Sequence, residues 1–310
     1  MPVDIIDAVK LGPSSVAVVG GGAIGGYVSA LAHDAGHDVT LCVRTPFDRL
    51  VVEKDGDTRA VPVKIATDPT GIGPVDHLVL AVKAQDTPQT GAWLDALAGP
   101  QTVVVVAQNG VDHRERVTPL APRSSILPIL VYFTIEPVRR GHIRHSVGNR
   151  IVVPAGPLGA SFGALLAGAD VEVEATEDFR TAAWRKLLGN VFANPVTALT
   201  LRRSEVFRDE AIETLGRALL AEAIAVGGAV GAAFADDELE QALALFRTVP
   251  PQNGTSMLFD RLAGRPLEHE LITGVVVAEG RRHGIPTPAN DVILALLTSL
   301  DRGIRNGTVG

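Results

Sequence analysis

The sequence predicts an α/β protein, with a doubly wound parallel sheet in its N-terminal half followed by an all-helical C-terminal domain. Three observations support this prediction. Up to residue 107, short apolar runs alternate with segments of helical periodicity, which is typical of βαβ units. The first apolar run enters a glycine-rich turn. After a Gly-Pro cluster at residues 156–159, helical patterns follow one another through most of the remaining chain.

The length and composition fit two domains. With 310 residues and 46% hydrophobic content, the chain can form two cores of ordinary domain size. We expect an extension over residues 1–14, an α/β domain over 15–174 and an all-helical domain over 175–310. An apolar helical domain of this kind also favours a homodimer.

Composition excludes several classes of function. The net charge of -7 is spread along the chain, and no Lys/Arg run has the length expected of a nucleic-acid surface. The single cysteine, Cys42, allows no intrachain disulfide and fits a reducing compartment. The N-terminus lacks the apolar segment of a secretory signal, and the longest weakly polar stretch, 223–235, is too short to cross a bilayer. We therefore expect a soluble cytoplasmic protein without nucleic-acid or membrane partners.

The glycine-rich turn has the spacing of a dinucleotide fingerprint. Residues 16–19 form an apolar strand pattern, Gly20, Gly22 and Gly25 follow, and a helical pattern leads to a second strand over 38–43. In this setting the glycines allow the tight turn, the approach of backbone amides to a pyrophosphate and close packing of helix on strand. The alternative is a plain glycine-rich turn. We expect a Rossmann-type domain that binds its cofactor through Gly20, Gly22, Ala23, Ile24 and Gly25.

The end of the second strand indicates which cofactor is bound. A site for NAD is expected to have an acid there, to accept hydrogen bonds from the ribose hydroxyls, but this chain has Arg44. An arginine suits the 2′-phosphate of NADP(H). The alternative is that Arg44 is a solvated loop residue.

Two further strand patterns, over 75–82 and 102–107, end in polar residues. Ligands bind at the carboxyl ends of parallel strands, so Lys83 and Asn109 are expected to line the nicotinamide region. Either residue could instead be an ordinary cap or turn residue, because Asn-Gly is itself a turn signal.

Short alternating runs over 126–133, 142–145 and 150–153 follow, and we predict antiparallel strands that finish the sheet. His142 and His145 face opposite sides of such a strand and have no further ligand nearby in sequence. We therefore predict no metal site.

A polar stripe marks the helix predicted over 183–199. Lys186, Asn190 and Asn194 recur at every fourth position of an apolar segment, so they lie one above another on one face. Buried, they would need partners. The alternative is the solvated edge of an amphipathic helix, with Lys186 reaching outward. Because Pro195 follows, we expect the helix to end or kink at Asn194.

Two polar residues downstream each have a structural alternative. Ser256 lies where a helix begins after a Pro-Pro turn, so it could be only an N-terminal cap residue. Glu268 lies in the first turn of the next helical pattern, where an acid is favourable for dipole reasons alone.

With these residues in place, the chain resembles the ketopantoate reductase family from Ser15 onward. The string Trp-Arg-Lys-Leu-x-x-Asn-x-x-x-Asn-Pro-x-Thr-Ala over residues 184–198 is far more specific than the fingerprint. The rest of the resemblance is carried by Gly20, Gly22, Gly25, Arg44, Val82-Lys83-Ala84, Asn109-Gly110, Ser256-Met257, Asp260 and Glu268. The chain departs from the family pattern in its N-terminal extension, in Gln108, and in Gly254-Thr255 before Ser256.

The resemblance implies NADPH-dependent reduction of 2-dehydropantoate to (R)-pantoate, in the pathway to pantothenate and coenzyme A. It implies that Lys186 is the general acid, that Glu268 is a second catalytic residue that also helps to hold the keto acid, and that Lys83 and Asn109 line the nicotinamide and ribose region. Residues expected to hold the keto acid are Asn109, Asn190, Asn194 and Ser256. Two alternatives stay open: an NADP-dependent reductase of another 2-oxo acid, and a non-catalytic NADP(H)-sensing protein.

Overall fold

The structure is a computed structural model that describes residues 12–308. Most of the extension expected over residues 1–14 lies outside the described residues. The chain forms two compact units. The sheet unit comprises the described residues up to Val82, Asp86–Gln108 and Arg114–Ala175. The helical unit comprises Lys83–Gln85, Asn109–His113 and the described residues from Thr176 onward. Two short segments of the N-terminal half thus belong by their contacts to the helical unit.

The sheet unit contains the predicted parallel sheet. Its strands are β1 (Ser15–Val19), β2 (Asp38–Cys42), β5 (Lys64–Ala66), β6 (His77–Leu80), β7 (Val103–Val106) and β8 (Ser125–Pro128), with β3 (Leu50–Lys54) and β4 (Asp57–Val61) between β2 and β5 in the chain. The order across the sheet is β5-β2-β1-β6-β7-β8, and every neighbouring pair is parallel. The helices of this half are α1 (Ala23–Asp34), α2 (Gly91–Leu97), α3 (His113–Val117) and α4 (Pro157–Leu165), with 3-10 turns at Ala84–Thr90 and Thr118–Leu120.

Alternate residues of the central strands pack into two different cores. In β1, Val16 and Val18 belong to one buried cluster, whereas Ala17 and Val19 belong to another. Side chains of a strand alternate between the faces of its sheet, so both faces of this sheet are covered. The doubly wound parallel sheet that the apolar runs predict is thereby confirmed.

The predicted antiparallel finish of that sheet is wrong. The run over 126–133 divides into β8, which pairs with β7 in parallel, and the start of β9 (Leu130–Arg139). β9 forms an antiparallel hairpin with β10 (His142–Pro154), and this hairpin lies in a second sheet of order β11-β10-β3-β4, with β11 at Glu172–Thr176. Residues 126, 127, 129 and 130 are all buried, so the pattern shows no alternation at the strand boundary.

The hairpin of β3 and β4 is not among the predicted elements, although the sequence carries a signal for it. Asp55 and Gly56, which join the two strands, have φ angles of 53° and 87°. Two consecutive positive φ angles are those of a type I′ turn, and Asp-Gly is a preferred pair for that turn. The dipeptide between two short runs therefore predicts this hairpin.

The helical unit is built around its first long helix. Its helices are α5 (Phe179–Thr200), α6 (Glu210–Ala229), α7 (Glu238–Thr248), α8 (Ser256–Leu262), α9 (Val275–His283) and α10 (Pro288–Arg305), with a 3-10 turn at Ser204–Arg208 and a π-helical turn at Glu270–Gly274. Trp184, Leu188 and Phe192 of α5 pack with Leu219 and Leu220 of α6 in one buried cluster. Within residues 12–308, no helix has the length and apolar character needed to cross a membrane.

Helix α5 begins at a cap and continues through its proline. The Asp178 side chain accepts a hydrogen bond from the backbone N–H of Thr181 at 3.0 Å, which satisfies one N-terminal donor. The expectation that the helix ends at Asn194 is wrong, because α5 runs to Thr200 and Leu201 then takes a left-handed φ of 57°. An interior proline removes one backbone hydrogen bond. Pro195 and its neighbours are buried in the core, and that burial offsets the loss.

Candidate active site

The polar stripe of α5 is not a solvated edge. Lys186 and Asn190 are partly buried, and Asn194 is only 3% exposed. Since α5 is continuous over all three residues, they lie on one helix face as the spacing predicts. The solvated-edge alternative, with Lys186 reaching into water, is therefore wrong.

Lys186 is joined to Glu268 through the amide of Asn109. Lys186 Nζ donates a hydrogen bond to Asn109 Oδ1 at 3.2 Å, and Asn109 Nδ2 donates to Glu268 Oε2 at 3.1 Å. All three residues belong to the helical unit, which includes the segment Asn109–His113. Three residues that the sequence singled out separately thus form one hydrogen-bonded chain.

Glu268 is a buried carboxylate held from several directions. The residue is 6% exposed, Oε2 accepts from Lys83 Nζ at 3.1 Å, and Oε1 accepts from the backbone N–H of Ala84 at 3.2 Å. Burial alone would raise the pKa of Glu268, but the charge of Lys83 and the hydrogen bonds of Ala84 and Asn109 outweigh it and lower that pKa. Glu268 is therefore an anion over the ordinary working range of pH.

The pKa values of the two lysines of the site are shifted in opposite directions. Burial lowers the pKa of Lys186 to about 8, although the charge of Glu268 opposes the shift. Burial would also lower the pKa of Lys83, but the nearby charges of Glu268 and Asp260 raise it overall. A proton donor that works near neutral pH needs a pKa close to that pH. By this criterion Lys186 suits acid catalysis and Lys83 remains a fixed cation.

Asp260 is a member of the site for which the sequence predicted no role. Its carboxylate is ion-paired with Lys83 and with Arg265. The available signal was its position one turn after Ser256 in a short helix, directly after the apolar residues Met257, Leu258 and Phe259. An acid in such surroundings needs a cationic partner, and Lys83 is distant in sequence, so spacing alone could not identify the pair.

Ser256 is the first residue of α8 but is not its cap. Thr255 is the N-cap residue, and its side-chain oxygen accepts a hydrogen bond from the N–H of Leu258 at 3.2 Å. Thr255 also shares a hydrogen bond of 2.7 Å with the Thr197 hydroxyl, which joins this turn to α5. Ser256 itself is exposed. The capping alternative for Ser256 is therefore wrong.

The glycine turn of the sheet unit fits a dinucleotide phosphate. A Cβ atom at Gly25 would lie 1.9 Å from the carbonyl oxygen of Gly20, so helix and turn pack too closely for any side chain. Gly20 has a φ of 119° and lies against the backbone of Ala81 and Val82. Gly22, in contrast, has nothing within 4 Å of its Cβ position, and the first turn of α1 carries no acid. The turn is thus closed on its inner side and open to an anion at the helix N-terminus.

Arg44 lies two residues beyond the end of β2 and is exposed. Ala23 and Ile24, which begin α1 directly after Gly22, are partly buried.

In the described part of the chain, no group of three or more His, Cys, Asp or Glu residues could hold a metal ion. His142 lies 2.7 Å from Glu53, a carboxylate from β3 that the sequence did not associate with it.

The chain combines a parallel sheet that has a glycine fingerprint after its first strand with a helical unit that holds partly buried lysines beside buried carboxylates. These features define a Rossmann-type protein with a second, helical unit. Residues 16–157 match the family model "Ketopantoate reductase PanE/ApbA", and residues 178–301 match its C-terminal counterpart. The chain belongs to the ketopantoate reductase family, as the residues of the α5 string and the fingerprint predicted.

Relatives and solved structures agree with this membership. The chain is 42% identical to a 2-dehydropantoate 2-reductase of Mycobacterium tuberculosis, over 94% of this chain and 99% of the relative. It is 41% identical to one of Caulobacter vibrioides, over 92% of this chain and 99% of the relative. A crystal structure of a ketopantoate reductase from Ralstonia eutropha is similar in fold, with a TM-score of 0.86, 29% identity, and coverage of 94% of this chain and 99% of that chain.

Proposed function

We propose that this protein reduces 2-dehydropantoate to (R)-pantoate with NADPH, and that Lys186 is the general acid. The observation that carries the proposal is the hydrogen-bonded chain Lys186–Asn109–Glu268, with a lysine whose pKa is lowered to about 8 at one end. Family membership supports the same reaction, because the relatives are named 2-dehydropantoate 2-reductase.

In the sheet unit, the residues proposed to hold the cofactor are Gly20, Gly22, Ala23, Ile24, Gly25 and Arg44. The open backbone at Gly22 and the N-terminus of α1 suit the pyrophosphate, and the exposed Arg44 suits a 2′-phosphate. In the helical unit, Lys83 and Asn109 are proposed to line the nicotinamide region. When bound, the reduced nicotinamide supplies a hydride to the carbonyl carbon of the substrate.

Lys186 is suited to stabilise the charge on the ketone oxygen and to protonate it. As the carbonyl carbon is reduced, negative charge develops on that oxygen, and a nearby cation stabilises the transition state more than the ground state. Lys186 Nζ then gives a proton to the oxygen, which yields the hydroxyl of pantoate, and it recovers the proton from water. Acid catalysis of this kind contributes ~10²- to 10⁴-fold to the rate. Glu268 is proposed as its catalytic partner, acting through Asn109.

The remaining polar residues are proposed to hold the keto acid. Asn109, Asn190, Asn194 and Ser256 carry neutral groups that both donate and accept hydrogen bonds, which suits carboxylate and hydroxyl oxygens. Glu268 is an anion and would repel a substrate carboxylate. Its pairing with Lys83 at 3.1 Å neutralises much of that repulsion.

We also propose that the protein works in the cytoplasm, within the pathway to pantothenate and coenzyme A, and that it forms a homodimer through its helical domain. The single cysteine, which fits a reducing compartment, supports the first point, and the apolar character of residues 175–310 supports the second. Size-exclusion chromatography with light scattering tests the dimer, and a monomeric mass at micromolar concentration would contradict it.

One experiment tests the proposed reaction. Purified protein is mixed with NADPH and a panel of 2-oxo acids that includes 2-dehydropantoate, and the absorbance of NADPH is followed. The proposal expects the highest kcat/KM with 2-dehydropantoate. Faster turnover of another acid would favour a reductase of that acid, and no oxidation with any of them would favour a non-catalytic NADP(H)-sensing protein.

A further inference from the structure

Asp260 is a buried carboxylate to which the reaction described above assigns no task. The residue is 3% exposed. Its Oδ2 is ion-paired with Lys83 Nζ, and its Oδ1 accepts a hydrogen bond from Arg265 Nε at 3.0 Å. A buried charge is costly unless it is paired, so each oxygen has its own cation for a physical reason. Asp260 nevertheless has no contact with Lys186 in the described part of the chain.

We propose that Asp260 is a positioning residue that holds Lys83 against Glu268 and thereby fixes the amide of Asn109 toward Lys186. The link from Lys186 to proton transfer rests on the proposed function. The link from Asp260 to Lys186 rests on the contacts of the helical unit alone.

Lys83 lies between two carboxylates. Its Nζ is paired with Asp260 on one side and with Glu268 Oε2 at 3.1 Å on the other. A flexible lysine side chain held by one carboxylate can follow that carboxylate as it moves. A lysine side chain held by two carboxylates is restricted to the position between them. Asp260 therefore restricts where Lys83 can meet Glu268.

The Asn109 amide has a definite direction between Glu268 and Lys186. Glu268 is acceptor-only when ionised, so the group of Asn109 that faces it must be the N–H₂, which donates at 3.1 Å. The amide oxygen then faces Lys186 Nζ at 3.2 Å. If Glu268 turned toward an unrestrained Lys83, Asn109 would lose the hydrogen bond to Glu268 that helps to orient its amide. Lys186 would then lose a fixed acceptor.

Lys186 is linked by this chain of contacts to charged residues of both signs. Glu268 is the carboxylate nearest to it along the chain of contacts, followed by Lys83, Asp260 and Arg265. Arg185, the neighbour of Lys186 on α5, is paired with Glu238 of α7. The charges of the two lysines, Lys83 and Lys186, and of the two carboxylates, Glu268 and Asp260, sum to zero. Removing Asp260 leaves this set positive, so Lys186 should release its proton at a lower pH.

The test follows Lys186 directly by NMR. The chain has only five lysines, at positions 10, 54, 64, 83 and 186, so protein labelled with ¹³C at lysine Cε gives few signals. The signal that is absent from Lys186→Met identifies Lys186. In Asp260→Asn, we expect its titration midpoint to fall by about 0.5 to 1 pH unit relative to the wild type. An unchanged midpoint in folded Asp260→Asn would overturn the proposal.

Glu222→Gln is the matched control. Glu222 is a partly buried carboxylate of the same unit that accepts hydrogen bonds from the N–H groups of Ala289 and Asn290 at the start of α10. The variant removes one negative charge and alters the hydrogen bonds at the start of α10, without touching the chain of contacts at Lys186. We expect its Lys186 midpoint to match the wild type. A shift equal to that of Asp260→Asn would mean that any loss of a carboxylate has this effect, which would overturn the positioning role.

A second variant keeps the test available if Asp260→Asn does not fold. Arg265 is largely exposed, so Arg265→Gln should fold, and it removes a positive charge from the outer side of Asp260. We expect the Lys186 midpoint to rise by about 0.2 to 0.4 unit, a small shift because solvent screens Arg265. A midpoint that stays constant or falls would contradict the proposal.

The kinetic readout separates this inference from the proposed function. If 2-dehydropantoate is the substrate, the alkaline limb of kcat/KM in Asp260→Asn should move down by the same amount as the NMR midpoint. If the wild type reduces no 2-oxo acid, the proposed function fails while the NMR comparison still decides the role of Asp260. If the NMR midpoint of Lys186 falls as expected in Asp260→Asn but the alkaline limb of kcat/KM does not move, Asp260 keeps its positioning role and Lys186 is not the proton donor.

Discussion

Lys186 and Asn109, which are 77 positions apart in the chain, share a hydrogen bond of 3.2 Å within the helical unit. The lysine comes from the middle of α5, and the amide comes from a short segment that follows β7. Neither residue identifies the other in the sequence, because one belongs to a helical periodicity and the other to a strand end. Their contact nevertheless gives a buried cation an acceptor that is itself fixed by Glu268.

The pH dependence of the reaction should follow Lys186. Because the acid must carry its proton, kcat/KM is expected to be constant below about pH 7 and to fall tenfold per unit above about 8, the pKa of this lysine. Initial rates of NADPH oxidation between pH 6 and 10 measure the profile, with circular dichroism at each pH as the control for folding. A rate that stays constant to pH 10 would exclude Lys186 as the acid.

Replacement of Lys186 by methionine should remove activity without loss of stability. We expect kcat to fall ~10²- to 10⁴-fold, because Lys83 is held as a fixed cation by two carboxylates and cannot replace the donor. NADPH affinity, measured by fluorescence titration, should be retained. Lys64→Met is the control, because it changes an exposed lysine that pairs with Asp38 in the sheet unit. Normal turnover by Lys186→Met would contradict the assigned role.

The stability of Lys186→Met has a direction that the pKa predicts. Burial makes Lys186 easier to deprotonate in the folded chain, because it lowers the pKa from the ordinary 10.5 to about 8, so the charged form opposes folding. This cost is fully present below pH 8 and disappears as pH rises from 8 to 10.5. The Tm of Lys186→Met should therefore be equal to or above that of the wild type at pH 7, and this advantage should vanish near pH 10.5. A large fall in Tm at pH 7 would show that Lys186 is a structural residue.

Some parts of this structure follow from local sequence, and others do not. The parallel sheet follows from local sequence, because its strands are short apolar runs with both faces buried, such as residues 16–19. The polar face of α5 also does, since helical spacing alone aligns Lys186 with Asn190 and Asn194. The division of residues 126–133 between β8 and β9 does not, because burial on both sides removes the alternation that marks a strand boundary.

The site shows the same division. The sequence identified Lys83, Asn109, Lys186 and Glu268 by strand ends, helix spacing and family resemblance. It did not identify the pairing of Lys83 with Asp260, whose members are 177 positions apart. It also predicted that α5 ends or kinks at Asn194, and the helix does not end there. The local cost of an interior proline is visible in sequence, whereas its burial in a core is not. Which charges neutralise one another is a tertiary property.

Two glycines of the fingerprint should respond differently to alanine. Gly25→Ala places a Cβ 1.9 Å from the Gly20 carbonyl oxygen, so the variant is expected to lose several degrees of Tm. Gly22→Ala meets nothing within 4 Å, so its Tm should match the wild type. If the pyrophosphate approaches this backbone, Gly22→Ala should still bind NADPH about tenfold more weakly, as isothermal titration calorimetry would show. Unchanged affinity in Gly22→Ala would place the phosphates elsewhere.

Cofactor choice should depend on Arg44. The side chain is exposed, so Arg44→Asp should not alter Tm, but it replaces a cation suited to a 2′-phosphate with an acid suited to ribose hydroxyls. We expect the ratio of kcat/KM for NADPH to that for NADH to fall at least tenfold. Arg123→Asp is the matched control, because it makes the same charge change at an exposed arginine of the sheet unit that precedes the first residue of β8. In a parallel sheet that residue is at the edge opposite the ends of β1 and β2, so a general charge effect would lower the ratio equally in both variants, whereas a phosphate contact lowers it only in Arg44→Asp.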